Sequence, residues 1–185
     1  KFIEQKQSDL NRGTNISVSK LFQNVPARLK YVKSVNAEFA HIQNYVERLS
    51  LSHPDIAFTL IHNDKMTYKT NGNGNLLEVI HQIYGLSVVK NMLNLKAGND
   101  EFQIEGFIGK IEVNRASKNH IVTMVNHRIV KNQIAIDAIN QAYRKYLAYN
   151  RYPIAVINIE IDPYLVDVNV HPSKLEVKFS KEYEL

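Results

Sequence analysis

The stretch that most constrains the fold is residues 166–179, which read VDVNVHPSKLEVKF. Its first five residues alternate valine with a polar side chain, which is the period of a half-buried β-strand. Pro172 lacks a backbone donor and keeps His171 out of helical geometry, so the strand must end and the chain must turn there. We therefore predict two strands joined at a proline corner that carries Lys174. From the spacing alone, a solvated turn lysine is the commoner interpretation.

Apolar spacing along the rest of the chain predicts helices and strands in an interleaved order. Apolar residues three and four apart predict helices over residues 37–51, 76–84 and 133–147, and a short basic helix is predicted to end near Ser34. Alternating apolar residues predict strands at residues 15–19, 56–60, 66–68, 102–108, 120–126, 153–161 and 166–170. So many adjacent strands exclude a doubly wound parallel sheet. The sequence therefore predicts an α+β domain, with helices packed on one face of a mixed sheet.

Turn and capping residues set the ends of these elements. Asn36 is predicted to cap the first long helix, and Gly85 is predicted to end the second. Residues 63–64, Asn-Asp, are predicted to turn a hairpin. The NGNGN segment at 71–75 lacks the GxxxxGK[ST] pattern of a phosphate-binding loop, so we predict a plain loop there. Residues 88–95 fit either a helical turn or a strand.

The composition sets the outer bounds of the class of protein. With 185 residues, 44% of them hydrophobic, the chain can bury the core of one domain or slightly more. It has no apolar run long enough to cross a bilayer and no signal peptide, so we expect a soluble cytoplasmic protein with no membrane partner. It has no cysteine and its seven histidines are scattered, so no metal site is predicted. Because the chain starts at Lys1 in mid-pattern, we expect a piece of a longer protein.

The net charge of +5 suggests an anionic partner such as phosphate or nucleic acid, although many basic proteins bind neither. Lysines and arginines flank the strand predicted over 120–126, without interleaved aromatic residues. Such clusters contact DNA phosphates and give affinity without sequence recognition. The predicted DNA-binding residues are Arg128, Arg115, Lys118 and Lys131, with Arg144 and Lys145 as outer candidates. For most of them, a solvated charged face is the commoner alternative.

Three segments, in this order, resemble signature motifs of the MutL-type DNA mismatch repair proteins. They are Gly13-Thr14 leading into LFQNVPAR at 21–28, VNHR at 125–128 and VDVNVHPSKLEV at 166–177. The segments are spread over nearly the whole chain, so the resemblance is specific. The family has a glycine where this chain has His127, which leaves the turn type open. Arg128 is the DNA-binding candidate that the resemblance supports.

The resemblance implies a domain organisation. Residues 1–34 would be the tail of the ATPase subdomain of the GHKL superfamily, which unites gyrase, heat-shock chaperones, histidine kinases and MutL. Residues 35–185 would be the transducer domain that follows it, with a ribosomal-protein-like β-α-β fold. This agrees with the α+β domain that the spacing predicts.

The resemblance also implies a nucleotide site to which this chain contributes few residues. Thr14, with Gly13, matches the pair that helps to hold the adenine, although an ordinary strand-start threonine is the alternative. Lys174 matches the lysine that reaches the γ-phosphate of ATP. The glutamate base, the magnesium-binding asparagine and the glycine-rich lid would all precede Gly13. ATP and Mg²⁺ are therefore expected in the intact protein, whereas this chain alone is expected to bind no nucleotide tightly and to hydrolyse none.

The resemblance implies that this domain couples ATP binding to dimerisation and to contacts with DNA and partner proteins. ATP binding at Lys174 would draw this domain against the ATPase subdomain and favour N-terminal dimerisation. Dimerisation would control contacts with double- and single-stranded DNA and with a mismatch-recognition protein of the MutS type. The chain itself is expected to be monomeric, and the intact protein is expected to be nucleoid-associated. Two alternatives remain open, the transducer of another GHKL ATPase such as a type II topoisomerase, and a stand-alone RNA-binding module of the same fold.

Overall fold

The computed structural model describes residues 13–167 and 178–179 of the chain. The chain divides into two compact units, residues 1–39 and 40–185. Their assignment to an ATPase tail and a transducer domain, with a boundary near residue 34, stays a prediction. Within the described residues, no helix is both long enough and apolar enough to cross a membrane.

The described part of the first unit contains little regular structure. Residues 13–19 form neither helix nor strand, so the strand predicted at 15–19 is wrong. Ile16 and Val18 alternate with polar residues, but both are exposed and no described strand pairs with this segment. An alternating pattern supplies a possible face, whereas a strand also needs a hydrogen-bonded neighbour. The predicted short basic helix is α1 (Pro26–Leu29), which begins with a proline, as helices tolerate.

Helix α2 (Val35–Ser52) begins two residues earlier than predicted. The Ser34 hydroxyl accepts a hydrogen bond from a backbone N–H of the first turn (3.3 Å). The Glu38 carboxylate accepts one from the backbone N–H of Lys33 (2.9 Å). The capping residue is therefore Ser34, and the prediction of Asn36 is wrong because Asn36 already lies inside the first turn.

The predicted hairpin consists of two antiparallel strands, β1 (Thr59–His62) and β2 (Lys65–Lys69). Asn63 and Asp64 join them, with left-handed φ angles of +48° and +59°. Both central residues of a type I′ turn have this conformation, and its twist matches that of paired strands. The hairpin prediction is therefore confirmed, although β1 begins three residues later than the predicted strand and ends two residues later.

The NGNGN segment at 71–75 is a loop, as predicted, and its asparagine side chains donate hydrogen bonds to Glu78. Helix α3 (Leu76–Tyr84) follows at the predicted bounds. The Asn75 side chain accepts hydrogen bonds from two N–H groups of its first turn. Gly85, with a φ angle of +83°, ends the helix as predicted.

Residues 88–95, for which the sequence allowed a helical turn or a strand, contain parts of both. A short helix, α4 (Leu86–Val89), is followed by a strand, β3 (Met92–Gly98). Each of the two interpretations was therefore right for a part of the segment. Strand β3 is an edge strand of the main sheet.

The remaining elements complete the sheet. They are β4 (Phe102–Gly109), β5 (Asn114–Arg115), β6 (Ile121–Val125), β7 (Arg128–Val130), α5 (Gln133–Tyr143), β8 (Tyr152–Pro153) and β9 (Ala155–Ile161). Strands β5 and β8 pair with each other, and the main sheet has the order β3-β4-β9-β6-β7. Its β6 and β9 are parallel, while all the other neighbours are antiparallel. The α+β class and the mixed sheet are thus confirmed, and α5 ends four residues before its predicted end.

Helices cover both faces of this sheet, rather than one face as predicted. One buried cluster joins β6 and β9 to α5, and a second joins the opposite face of the same strands to α3 and the end of α2. Every residue of β6 is buried, and so are six of the seven residues of β9. Strands that are covered on both faces carry nearly continuous apolar runs, and IVTMV and AVINIEI are runs of that kind.

The chain leaves β9 through a single turn, Pro163–Leu165, and enters β10 (Val166–Asp167). Strand β10 pairs antiparallel with β11 (Lys178–Phe179). The two strands predicted to flank the proline corner are thus paired at their outer ends. The corner itself, with Pro172 and Lys174, lies outside the described residues.

Candidate functional site

The VNHR motif forms the turn between β6 and β7. Asn126 and His127 have φ angles of +47° and +62°, so both are left-handed, as in a type I′ turn. The turn type, which the sequence left open, is therefore type I′. The backbone N–H of His127 donates a hydrogen bond to the side-chain oxygen of Asn158 in β9 (3.0 Å). This bond offsets part of the strain of a left-handed histidine.

Asn126 ties this turn to the end of β9 by three hydrogen bonds. Its side-chain amide donates to the carbonyl oxygen of Ile161 (2.9 Å), and its side-chain oxygen accepts from the Ile161 N–H (3.0 Å). Its own backbone N–H donates to the carbonyl oxygen of Ile159 (2.9 Å). Asparagine suits the position because it carries both a donor and an acceptor and tolerates a positive φ angle. We call this arrangement the Asn126–Ile161 clamp.

The chain runs directly from this clamp towards the segment that carries Lys174. The Asp162 carboxylate accepts a hydrogen bond from a backbone N–H two residues further on (3.0 Å), which shapes the connecting turn. Leu165 and Val166 then pack against the buried cluster that contains Ile161. The clamp therefore holds the end of β9, from which the chain continues into β10, and Lys174 lies outside the described residues.

The groove beside the VNHR turn is acidic. The Glu160 carboxylate lies 3.5 Å from Nε2 of His127, and Asp100 and Asp162 line the same groove, whose volume is about 490 Å³. His127 and Glu160 are about half exposed, so solvent weakens their attraction. Because carboxylates repel a nucleic-acid backbone, Arg128 would have to contact DNA from outside this groove.

The structure does not bring the predicted DNA-binding residues together in one patch. Arg115 and Lys118 precede β6 and Arg128 follows it, so they lie near opposite ends of that strand. Lys131 lies between β7 and α5 and is exposed. Their roles in DNA binding stay predictions.

The other predicted site residues lie elsewhere. Arg144 and Lys145 follow α5, whose 11 residues separate them by about 16 Å from its start. Gly13 and Thr14 are exposed in the irregular start of the described chain. Among the described residues, no group of three histidine, cysteine, aspartate or glutamate side chains could hold a metal ion.

Lys118 and Arg115 have different surroundings. The Lys118 ammonium lies 3.9 Å from the Asp137 carboxylate and 5.6 Å from the centre of the Tyr152 ring. These two partners offset part of its charge, even though the ion pair is exposed to solvent. Arg115 is partly buried, and its Nη1 donates a hydrogen bond to the carbonyl oxygen of Asn114 (3.1 Å). The rest of its guanidinium faces a pocket.

This pocket, of about 300 Å³, lies between α2, α3 and the loop before β6. We call it the arginine pocket, because its walls include Arg48 and Arg115 together with Tyr84, His120 and Glu47. The sequence singled out Arg115 alone. The other residues come from separate segments that no spacing pattern connects, so the sequence held no sign that they meet.

Burial sets the protonation of the arginine pocket. The rings of Tyr84 and His120 meet edge to face, with their centroids 5.7 Å apart. Burial raises the pKa of Tyr84 to about 12, against the opposing effect of Arg48. Burial, followed by the charges of Arg115 and Arg48, lowers the pKa of His120 below its usual value. At neutral pH, Tyr84 therefore keeps its proton and His120 is uncharged.

The fold is one that solved DNA repair proteins share. A crystal structure of the N-terminal domain of a DNA repair protein matches with a TM-score of 0.74 and 20% identity, over 90% of this chain and 55% of that chain. The MutL ATPase domain of Aquifex aeolicus complexed with ADP matches with a TM-score of 0.58 and 20% identity, over 78% of this chain and 51% of that chain. At this level of identity, the likeness shows the fold alone.

Sequence comparison shows the family. A family model for the C-terminal domain of DNA mismatch repair proteins matches residues 80–185. The MutL protein of Listeria monocytogenes (strain EGD-e) is 49% identical over 100% of this chain, and that of Anoxybacillus flavithermus is 46% identical over 99%. This chain belongs to the MutL-type DNA mismatch repair proteins. The family membership contradicts the alternative of a type II topoisomerase. The chain covers 31% and 30% of the length of these two relatives.

Proposed function

We propose that this chain is the transducer part of a MutL-type mismatch repair protein. In the intact protein, Lys174 contacts the terminal phosphate of an ATP molecule that residues upstream of this chain hold. The orientation of the transducer towards the ATPase subdomain then depends on the nucleotide state. The ATP-bound state favours N-terminal dimerisation, which controls the contacts with DNA and with partner proteins.

The Asn126–Ile161 clamp is the observation that best supports this proposal. It joins the VNHR turn, which is one family motif, to the end of β9, which precedes the motif that contains Lys174 in the sequence. A charged side chain can report the presence of a phosphate only if its backbone is held firmly, because a loose backbone would follow the ligand without transmitting force. The clamp supplies an anchor of this kind at the end of β9, a buried strand that precedes the Lys174 motif in the sequence.

A lysine suits the contact with a terminal phosphate. Its ammonium group is a compact charge on a flexible stem, and hydrogen bonds between charged groups are stronger than those between neutral ones. The attraction is lost when the phosphate leaves, so the two nucleotide states differ in free energy. A difference of that kind is what a ligand needs in order to shift a conformational equilibrium.

Bound ATP supplies the phosphate anion that Lys174 recognises. We place Gly13 and Thr14 on the adenine side of the nucleotide and assign Mg²⁺ coordination to residues upstream of this chain. The Aquifex aeolicus relative of the same fold was solved with ADP, which supports nucleotide binding in the intact protein. We expect ATP hydrolysis to depend on residues other than those of this chain.

The partners follow from the family. We propose that the intact protein binds double- and single-stranded DNA, dimerises through its N-terminal region when ATP is bound, and contacts a mismatch-recognition protein of the MutS type. Arg128 is the first candidate for DNA contact. The place of action is the cytoplasm, in association with the nucleoid.

The test is ATP turnover by the full-length protein, with and without DNA. Lys174→Ala is expected to reduce turnover by about tenfold or more, since a charge-assisted contact with the reacting phosphate is lost. Lys65→Ala is the matched control, because it removes the same charge from the exposed turn of the β1–β2 hairpin. It is expected to leave turnover unchanged.

Two results would contradict the proposal. If Lys174→Ala turns over ATP as fast as the natural protein, Lys174 is an ordinary turn lysine. If the 185-residue chain alone hydrolyses ATP above a blank, the catalytic residues are not all upstream. Sedimentation measures ATP-dependent dimerisation, which should be lost in Lys174→Ala and kept in Lys65→Ala.

A further inference from the structure

The arginine pocket goes beyond the function proposed above, because neither the family motifs nor the proposed nucleotide contacts include it, and Arg115 alone of its residues was a candidate for DNA binding. It lies wholly within the second unit, where α2 and α3 meet the loop before β6. Arg48 reaches it from the last turns of α2, and Arg115 reaches it from β5. Two guanidinium groups therefore share one partly enclosed space.

The protein orients both arginines without neutralising them. Nε of Arg48 donates to the Asn44 side-chain oxygen (3.1 Å), and its Nη2 donates to the carbonyl oxygen of Asn119 (3.1 Å). Nη1 of Arg115 donates to its neighbour Asn114 (3.1 Å). All these acceptors are uncharged, and among the described residues neither arginine forms an ion pair. Both keep further N–H groups for a ligand.

Tyr84 and His120 add neutral polar groups to the same walls. The Tyr84 hydroxyl has no hydrogen-bond partner within the described part of the chain, and its raised pKa keeps it protonated. It is therefore a donor, as the guanidinium N–H groups are. His120 packs edge to face against Tyr84 and is uncharged at neutral pH, so it can present either a donor or an acceptor.

One carboxylate, that of Glu47, also lines the pocket. Its Oε1 accepts a hydrogen bond from the side-chain amide of Gln43, one turn earlier on the same helix (2.8 Å). The two arginines outweigh this single negative charge. The two arginines and Glu47 leave the pocket with an excess of one positive charge, which a bound anion would offset.

We propose that the arginine pocket binds the phosphate group of a ligand. Nη1 of Arg48 and both Nε and Nη2 of Arg115 make no hydrogen bond within the described part of the chain, and such charged donors form strong hydrogen bonds to a tetrahedral oxyanion. The volume of about 300 Å³ exceeds what a single phosphate group fills, so the group can carry an ester substituent. The ligand chemistry is therefore inorganic phosphate or a phosphate ester, including the backbone of a nucleic acid.

The first experiment titrates the 185-residue chain with sodium sulfate, a phosphate analogue whose double charge does not change over the titration. Binding is measured by calorimetry, and the His120 ring is followed by NMR as a function of pH. An anion beside His120 stabilises its charged form and offsets the repulsion by Arg48 and Arg115. The pKa of His120 is therefore expected to rise when sulfate binds, and sulfate is expected to bind more tightly as the pH falls.

Matched variants test the two arginines. Arg48→Gln and Arg115→Gln are each expected to weaken sulfate binding by about tenfold or more, because each removes charge-assisted hydrogen bonds. Lys65→Gln is the control, since it removes one positive charge from the exposed β1–β2 hairpin, whose residues do not line the pocket. Equal weakening by all three variants would mean general attraction to a basic surface and would overturn the proposal. An unchanged pKa of His120 at saturating sulfate would overturn it as well.

Tyr84→Phe is a second test of the pocket, which can be used if an arginine variant does not fold. It removes the hydroxyl alone and keeps the ring, which packs against His120 and against a buried cluster, so the fold is expected to survive. Sulfate binding is expected to weaken several-fold, since one hydrogen bond to a charged acceptor is lost. Binding as tight as that of the natural chain would contradict a ligand at this site.

Competition distinguishes the two sources of phosphate. An unlabelled single-stranded oligonucleotide without terminal phosphates and a nucleoside monophosphate are each added to the sulfate-bound chain, and the His120 signal is followed. Displacement by the oligonucleotide identifies a site for backbone phosphates. Displacement by the monophosphate alone identifies a site for a small phosphate ester. Failure of both to displace sulfate would overturn the phosphate proposal.

Discussion

Asn126 and Asn63 occupy the same place in two type I′ turns, with φ angles of +47° and +48°. Their surroundings differ. The Asn63 side chain lies 3.3 Å from the ring of its neighbour His62, in an exposed hairpin. The Asn126 side chain instead bonds both backbone groups of Ile161, 35 residues away. One residue type thus serves local turn formation at the first site and long-range attachment at the second.

We predict that Asn126→Ala lowers the free energy of unfolding by about 3 to 4 kcal/mol, and Asn63→Ala by about 1 to 2 kcal/mol. Both variants place alanine at a left-handed φ angle, which costs roughly 1 to 2 kcal/mol. Only Asn126→Ala also removes two hydrogen bonds, each worth about 1 kcal/mol. Urea unfolding followed by circular dichroism measures both values. Equal losses in the two variants would show that the Ile161 contact adds nothing.

The same comparison shows what the sequence can reveal about a site. The motif VNHR marks a turn, and asparagine at its first central position predicts a left-handed residue. No local pattern marks the Ile161 backbone as the partner, because a backbone group carries no side-chain identity. For the same reason, the arginine pocket was not predicted: Arg48 and Arg115 meet only because α2 lies against the loop before β6.

At the scale of elements, the pairing of β4 with β9 depends on one glycine. Gly106 lies opposite Ile157 and has a φ angle of +148°. A Cβ atom at this position would collide with the backbone carbonyl oxygen of Val156. A backbone atom in a fully buried strand cannot move aside as the end of a flexible side chain can.

We predict that Gly106→Ala lowers the free energy of unfolding by about 3 kcal/mol or more, since it adds a backbone clash to a strained φ angle. Gly74→Ala is the matched control. Gly74 also has a positive φ angle, +78°, but nothing lies within 4 Å of the added Cβ atom. Its cost is expected to be about 1 kcal/mol. Thermal unfolding of the two variants provides the comparison, and similar midpoints would mean that β4 shifts to accommodate the methyl group.

Elements were predicted well where their ends are marked locally. Helix α3 has apolar residues at helical spacing, a capping asparagine and a terminal glycine, so its bounds were predicted to the residue. The strand predicted at 15–19 had the correct alternation, but no pattern within a segment shows whether a partner strand exists. The single-faced sheet was wrong for a related reason. Burial on both faces depends on the packing of helices that are distant in sequence, although the nearly continuous apolar run of β9 was a sign of it.

At the scale of the whole molecule, the positive charge of the chain is dispersed. Arg128 lies at the end of β6 that is paired with the last part of β9. Arg144 follows Tyr143, whose hydroxyl donates to the carbonyl oxygen of Gly109, next to the start of β9. The seven residues of β9 span about 20 Å, so the two arginines lie towards opposite ends of that strand. A nucleic acid that contacts both must extend along the sheet.

This arrangement predicts how DNA affinity depends on salt. Log affinity falls as log salt concentration rises, and each lost phosphate contact makes this line less steep by about 1. We expect Arg128→Gln and Arg144→Gln each to make the line less steep by that amount. The double variant is expected to make it less steep by about 2, since distant sites act independently. Lys118→Gln is expected to change it little, because Asp137 already offsets that charge. The measurement is fluorescence anisotropy of a labelled duplex over a series of salt concentrations. If the double variant has the same salt dependence as Arg128→Gln alone, Arg144 lies outside the DNA contact. If Arg128→Gln has the same salt dependence as the natural chain, the VNHR turn lies outside the DNA contact.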